Sequence, residues 1–281
     1  MVRLKLILDT NVCVKLLTPE YHHDLEDIKA SMRRNFQVVI SAESFVELLD
    51  AIKDGDEEHF DCHKERLRLM AGGGKPRFLP FPGTFALWRV LRIRPSGNLS
   101  VGNIRSSHFL RWFRVVLSAR SRHEIIYVNV PSLFDGPERC GLALDRLRQQ
   151  QVSGKSEHQR LMEQVRDQGR KLPQLNLWAA DIAKSLGHEL NQQQAISLGN
   201  ALDAAYCYDK ELYALGTSGY NFDRHQSDWV DQQQLIYLCD PHLFLLTDDN
   251  RLQKRVGKSS QKDRLLDLRG FLKQQGFTPR H

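Results

Sequence analysis

Between Arg66 and His123 the chain has no aspartate or glutamate at all. The same stretch carries twelve basic residues: Arg66, Arg68, Lys75, Arg77, Arg89, Arg92, Arg94, Arg105, Arg111, Arg114, Arg120 and Arg122. That leaves 28 basic against 34 acidic residues elsewhere, in a chain with a formal net charge of +6. Such segregation excludes an evenly charged surface and is the electrostatic footprint of a polyanion binder. No apolar run approaches the ~20 residues of a membrane span, and Arg3 and Lys5 precede no signal-peptide core. The expectation is a soluble, cytoplasmic protein with no membrane partner. Cysteine is scarce: Cys13, Cys62, Cys140, Cys207 and Cys239 are odd in number and scattered. This suits reduced thiols better than a disulfide framework. His59, Cys62 and His63 lie close together, but no second pair of ligands at zinc-site spacing accompanies them, so they read as a solvated helix face. Repeats and low-complexity tracts are absent.

What is present is an α/β rhythm. Leu4 to Asp9 reads as a strand, followed by a helix and by further helical sequence from Leu25 to Arg34. Val38-Val39-Ile40 is a second apolar run, ending at Ser41 and opening a helix in which Phe45, Leu48, Leu49 and Ile52 form one stripe. "RFLPFPG" reads as a short strand broken by Pro80 and Pro82, leading into a helix from Thr84 to about Arg92. "EIIYVNV" (Glu124 to Val130) reads as a strand. Helices are expected over Glu157–Arg170, Leu175–Leu190, Gln192–Leu215 and Asp228–Leu238. "LFLLTDDN" reads as a strand with a turn, and a final helix is expected from about Asp263 to Gln275. Near-continuous apolar strands separated by helices predict a mostly parallel sheet covered on both faces.

Two of these strands stop on carboxylates: Leu4–Leu8 at Asp9, and Leu243–Leu246 at Thr247-Asp248-Asp249. Ligands collect at the carboxyl ends of strands in open parallel sheets. Asp228, Asp231, Leu235 and Leu238 fall at i, i+3, i+7 and i+10, which places two more acids on an inward helical stripe. Buried charge needs a partner or a metal, and no Lys or Arg lies near on that face, so the acids point to a divalent cation. Each also has an ordinary structural explanation. Asp228 and Asp231 sit in a first helical turn, which favours acids. Glu47 follows Ser44 at capping-box spacing and lies off the apolar stripe, and Asp248-Asp249-Asn250 could be turn chemistry.

Taken together, these motifs resemble PIN-domain ribonucleases, most closely the bacterial toxin-type members. "LILDTNVCVKLL" looks like their opening strand with its terminal Asp-x-Asn. "SAESFVELL" resembles their second motif, which places an acid on Glu47. "RFLPFPGTFALWRV" is similar to the third strand and helix. "DQQQLIYLCDPHLFLLTDD" resembles the last motif, placing acids on Asp231 and Asp249, with a step of sixteen positions from Asp231 to Thr247. The likeness covers roughly residues 3 to 94 and 222 to 256. It implies a PIN-like three-layer domain formed by 1–94 and 221–281, with a mainly α-helical, partly basic insertion over 95–220. It also implies that Asp9, Glu47, Asp231 and Asp249 hold one or two Mg²⁺ or Mn²⁺ ions that activate water for in-line attack on a phosphodiester. Asp228 and Asp248 are further acids that could replace Asp231 or Asp249. Thr10, Asn11, Ser41 and Thr247 would support the carboxylates or a substrate phosphate.

The expected substrate is RNA, with DNA as the alternative. Arg89, Arg92, Arg94, Arg105, Arg111, Arg114, Arg120 and Arg122 would neutralise phosphates, and Phe109, Trp112 or Phe113 either stack on bases or fill a core. The competing classes are a catalytically silent RNA-binding scaffold and a structure-specific DNA nuclease. An aspartate-nucleophile phosphatase is disfavoured because Asp9-Thr10-Asn11 lacks the second Asp such enzymes use. An antitoxin-like protein and a second copy of the chain are the protein partners that the resemblance leaves open.

Overall fold

The computed structural model describes residues 3–93, 106–127, 129–131, 137–139, 173–216 and 228–277, with Ser153, Ser156 and Arg160 as isolated helical positions. Four short strands form an all-parallel sheet: β1 (Lys5–Leu8), β2 (Gln37–Val39), β5 (Leu243–Thr247) and β6 (Leu265–Asp267), in the order β2-β1-β5-β6. A separate antiparallel pair joins β3 (Asn129–Pro131) to β4 (Pro137–Arg139). Side chains alternate across the sheet, as period-two geometry requires. Leu6, Leu8, Val38, Ile40 and Leu246 enter one core, while Ile7, Val39, Leu243 and Leu245 enter the other. The chain is thus an α/β fold with helices over both faces of a parallel sheet.

The first core receives α1 (Thr10–Leu16), α2 (Leu25–Asn35), α3 (Ala42–Asp54), α4 (Phe60–Met70), α6 (Ser106–Ser118), Ile125 of α7 (Arg122–Tyr127) and α13 (Leu268–Gln274). The second receives α5 (Pro82–Leu91), α8 (Leu175–Ser185), α9 (Gln192–Ala201), α10 (Asp203–Gly216), α11 (Asp228–Ile236) and α12 (Asn250–Val256). The described parts of the expected insertion, 106–127 and 173–216, bury their apolar faces in these same two cores. Among the described residues no helix is long and apolar enough to cross a membrane.

Several local expectations change. The strand expected at Glu124–Val130 divides into α7 and β3. Ser121 Oγ accepts from Glu124 N at 3.4 Å and the Glu124 carboxylate accepts from Arg120 N at 2.9 Å, so capping overrides the β-branched run. The single helix expected over 192–215 is broken at Leu202, and Asp203 at the break accepts bonds from Ser259 and Ser260. The expected final helix begins only at Leu268, because Leu265–Asp267 pairs with Leu245–Thr247 as an edge strand. The proline-broken strand reduces to a one-residue bridge between Ile40 and Phe78. His63 is buried, whereas His59 and Cys62 are exposed as expected. Of the helix expected at 157–170, only Arg160 lies within the described residues.

Candidate functional site

Parallel pairing explains why a strand ends on Asp9. Leu8 stands opposite Leu246, which sets Asp9 beside Thr247 at the carboxyl edge of the two central strands. Asp9 is only 3% exposed. Its Oδ2 accepts from Thr247 Oγ1 at 2.8 Å and its Oδ1 from Thr10 Oγ1 at 3.3 Å. Burial raises its carboxyl above the ordinary range, and these two hydroxyls pull it back only in part.

The Thr10 hydroxyl also lies 3.1 Å from Glu47 Oε2, tying α3 to the end of β1. Capping does not explain Glu47. The N-cap of α3 is Ser41, whose hydroxyl oxygen accepts from Ser44 N at 3.1 Å, and the capping-box spacing from Ser44 is not used. Ser41 is fully buried in that role and exchanges a 2.7 Å bond with the Ser44 hydroxyl. The bonds it makes are those of a helix cap. Asn11 is exposed.

Across the sheet edge, Asp249 N donates to Thr247 Oγ1 at 3.1 Å, so one threonine positions both Asp9 and Asp249. Asp249 caps α12 as well: its Oδ1 accepts from Arg251 N at 2.7 Å and Leu252 N at 3.3 Å. Turn chemistry and site placement coincide in this residue. Asp248 is half-buried, and its charge bears on Tyr21, a phenol pushed up to about 12 chiefly by burial.

Asp231, in the first turn of α11, completes the group. Burial, then the negative charges of Asp9, Asp249 and Asp228, push its carboxyl up to about 8. Asp228 differs. It is buried and pairs with Arg255 Nη1 at 2.8 Å. Sequence periodicity expects no cation on that face, and the correction comes from α12, 27 positions further on. Tyr208 of α10 also reaches this corner, its hydroxyl 3.0 Å from Asp228 Oδ1 and 3.2 Å from Asp231 Oδ2. Neither Tyr208 nor Arg255 carries a sequence signal. Ala204, Ala205 and Leu212 flank Tyr208 on one buried helical face, where a tyrosine reads as core.

The donor set suits a hard divalent cation in its chemistry: carboxylate oxygens, negative charge in excess, and a buried setting that disfavours their joint ionisation. Among the described residues no group of three or more His, Cys, Asp or Glu side chains stands close enough to hold a metal ion as it is. Binding one would require the carboxylates to draw in.

The basic segment separates into several roles. Phe109, Trp112 and Phe113 are buried in the first core. Phe109 lies 5.7 Å from the Phe45 ring and 5.6 Å from the Phe78 ring. This decides between the two readings of those aromatics in favour of core packing. On the opposite face of α6, Arg111 and Arg114 are exposed, as are Arg92 and Arg120. Arg89 instead holds the fully buried Asp240 at 3.0 Å, together with Lys5 at 2.7 Å. Arg122 donates to the carbonyl of Gly55. Arg94 and Arg105 lie outside the described residues. Comparison with protein-family models, with curated proteins and with solved structures gives no match.

Proposed function

We propose that the chain is a PIN-like, metal-dependent endoribonuclease. What supports this reading is that Asp9 and Asp249 share Thr247 at the carboxyl ends of β1 and β5, that their charges bear on Asp231, and that Glu47 and Asp9 share the Thr10 hydroxyl. A binding protein gains nothing from crowding carboxylates where a polyanion must approach. A cation-dependent hydrolase requires it. Three of the four motifs that resemble PIN domains supply these four acids, Asp9 from the first, Glu47 from the second, and Asp231 and Asp249 from the last.

Asp9, Glu47, Asp231 and Asp249 would hold Mg²⁺ or Mn²⁺, the Thr10 hydroxyl being shared by Asp9 and Glu47. When bound, the cation lowers the pKa of a coordinated water and stabilises charge on the phosphoryl oxygens. The protein's own part is positional. Thr247 orients Asp9 and fixes the backbone of Asp249, while Thr10 keeps Asp9 and Glu47 in register. The exposed Arg92, Arg111, Arg114 and Arg120 supply positive charge for phosphates.

The test is incubation of the full chain with end-labelled RNA and, in parallel, single-stranded DNA, with Mn²⁺ or with chelator. Cleavage of RNA by the parent and not by Asp9→Asn is expected. RNA binding without cleavage by either protein would favour the silent scaffold, and cleavage confined to DNA would favour the DNA nuclease.

A further inference from the structure

Asp231 has a neighbour from outside all four motifs. Tyr208 belongs to α10, within the 95–220 stretch that the family resemblance leaves unexplained. Its side chain is fully buried, with the hydroxyl between Asp228 and Asp231. Arg255 Nη1 donates to that hydroxyl at 2.8 Å and to Asp228 Oδ1 at 2.8 Å. The guanidinium also lies over the tyrosine ring, 5.1 Å from its centroid. The Arg255 and Asp228 side chains are 10% and 6% exposed, so water competes little for this pair.

The donor inventory limits the arrangements. A phenol has one proton to donate and can accept through its oxygen, whereas a guanidinium only donates. Arg255 supplies Asp228 with a charge-assisted bond and fills an acceptor position of the phenol. The one phenolic proton then faces two carboxylates, Asp228 Oδ1 at 3.0 Å and Asp231 Oδ2 at 3.2 Å.

We propose that Tyr208 is a positioning residue for Asp231, locked by the Arg255–Asp228 pair, and that Asp228 belongs to this clamp and not to the cation's ligands. The proposal rests on the nuclease reading and deepens it, since the clamp sets how firmly Asp231 is presented to a divalent cation. A carboxylate that can swing must be ordered when the ion binds, and that cost appears as lost affinity. Partners of ligating side chains govern metal affinity by about 10- to 100-fold. Arg255 suits the task because its planar fork is pre-organised and stacks on the ring. A segment remote in sequence thereby contributes to the site.

The experiment is titration of the full chain with Mn²⁺, free ion being followed by electron paramagnetic resonance and folding checked by circular dichroism. Wild type is compared with Asp231→Asn, Tyr208→Phe, Asp228→Asn and Arg255→Lys. Tyr208→Phe should weaken Mn²⁺ binding about tenfold while remaining folded. Asp228→Asn should weaken it less than Asp231→Asn does. Arg255→Lys keeps the counter-charge but gives up the fork, and should loosen binding as Tyr208→Phe does; it decides the matter if the phenylalanine variant does not fold. Unchanged affinity in a folded Tyr208→Phe, or a loss in Asp228→Asn equal to that in Asp231→Asn, would overturn the clamp. Absence of Mn²⁺ binding by the wild type would instead overturn the nuclease reading on which it stands.

Discussion

Replacing Asp231 with Asn should stabilise the cation-free protein, and by more as pH rises. The carboxyl titrates near 3.8 when unperturbed and near 8 in the fold, pushed there by burial and by Asp9, Asp249 and Asp228. Between those values the folded chain keeps a proton that the unfolded chain has released. The group's favourable contribution is therefore complete below pH 3.8 and is lost progressively as pH climbs towards 8. At about 1.36 kcal/mol per pH unit, the loss between pH 5 and pH 8 has a ceiling of about 4 kcal/mol, part of it shared with Asp9 and Asp249. Asparagine does not ionise, and it still offers an oxygen to the Tyr208 hydroxyl. Urea unfolding of both proteins in chelator at pH 5, 6, 7 and 8 gives the difference directly. The stability gap should widen in favour of Asp231→Asn with each step. Mn²⁺ added at pH 8 should then raise the wild type and leave the variant nearly unmoved, because an ion that binds only the folded site stabilises it by mass action. A gap that stays flat or narrows between pH 5 and pH 8 would refute the account of crowded carboxylates.

Replacing both Arg111 and Arg114 with Ala should weaken single-stranded RNA binding and flatten its salt dependence by a slope of about 0.7 per lost phosphate contact, read from affinities across a salt series. An unchanged slope would remove this face of α6 from the RNA surface. Truncating Trp112 to Ala should cost about 3–5 kcal/mol by chemical denaturation. Trp112→Phe should retain RNA affinity wherever it folds, and a selective loss of binding would restore the base-stacking role. Burial alone would raise the Asp240 carboxyl, but Lys5, Arg89 and the His242 N–H outweigh it and hold it below the usual range. Its contribution is therefore present at neutral pH and lost on acidification below pH 3.8. Asp240→Asn should cost about 3 kcal/mol near pH 7, by leaving two cations without their counter-charge, and about 1 kcal/mol less at pH 3, where the linkage has acted over less than one pH unit. Equal losses at both pH values would exclude the ion pairs as the cause.

Asp9 and the Asp248-Asp249 pair are legible from local pattern, because a short apolar run that stops on a polar group marks the carboxyl edge of a parallel strand. Helical spacing puts Asp228 and Asp231 on one inward stripe, and only the family resemblance chooses Asp231 between them. Glu47 lies off the apolar stripe, and only its likeness to a family motif singles it out before Thr10 is seen beside it. The aromatics of α6 were ambiguous for a related reason. Helical periodicity shows that Phe109, Trp112 and Phe113 share a face, but not whether that face meets Phe45 and Phe78 or a nucleotide. Leu265–Asp267 carries helical spacing and still forms a strand, since an open sheet edge beside β5 offers it hydrogen bonds that no local pattern records.

Tyr208 and Arg255 mark the limit most sharply. Within its own helix Tyr208 is one more large residue on an alanine- and leucine-lined face, and Arg255 is one cation in "RLQKRVGK". Residue order along the chain carries the strand ends, the caps and the apolar periods, because these depend on neighbours a few positions away. Which hydroxyl reaches which carboxylate, and which acid finds a cation, depends on how α10, α11 and α12 pack over one face of the sheet. Those contacts span 20 to 47 positions and exist only after the core has closed.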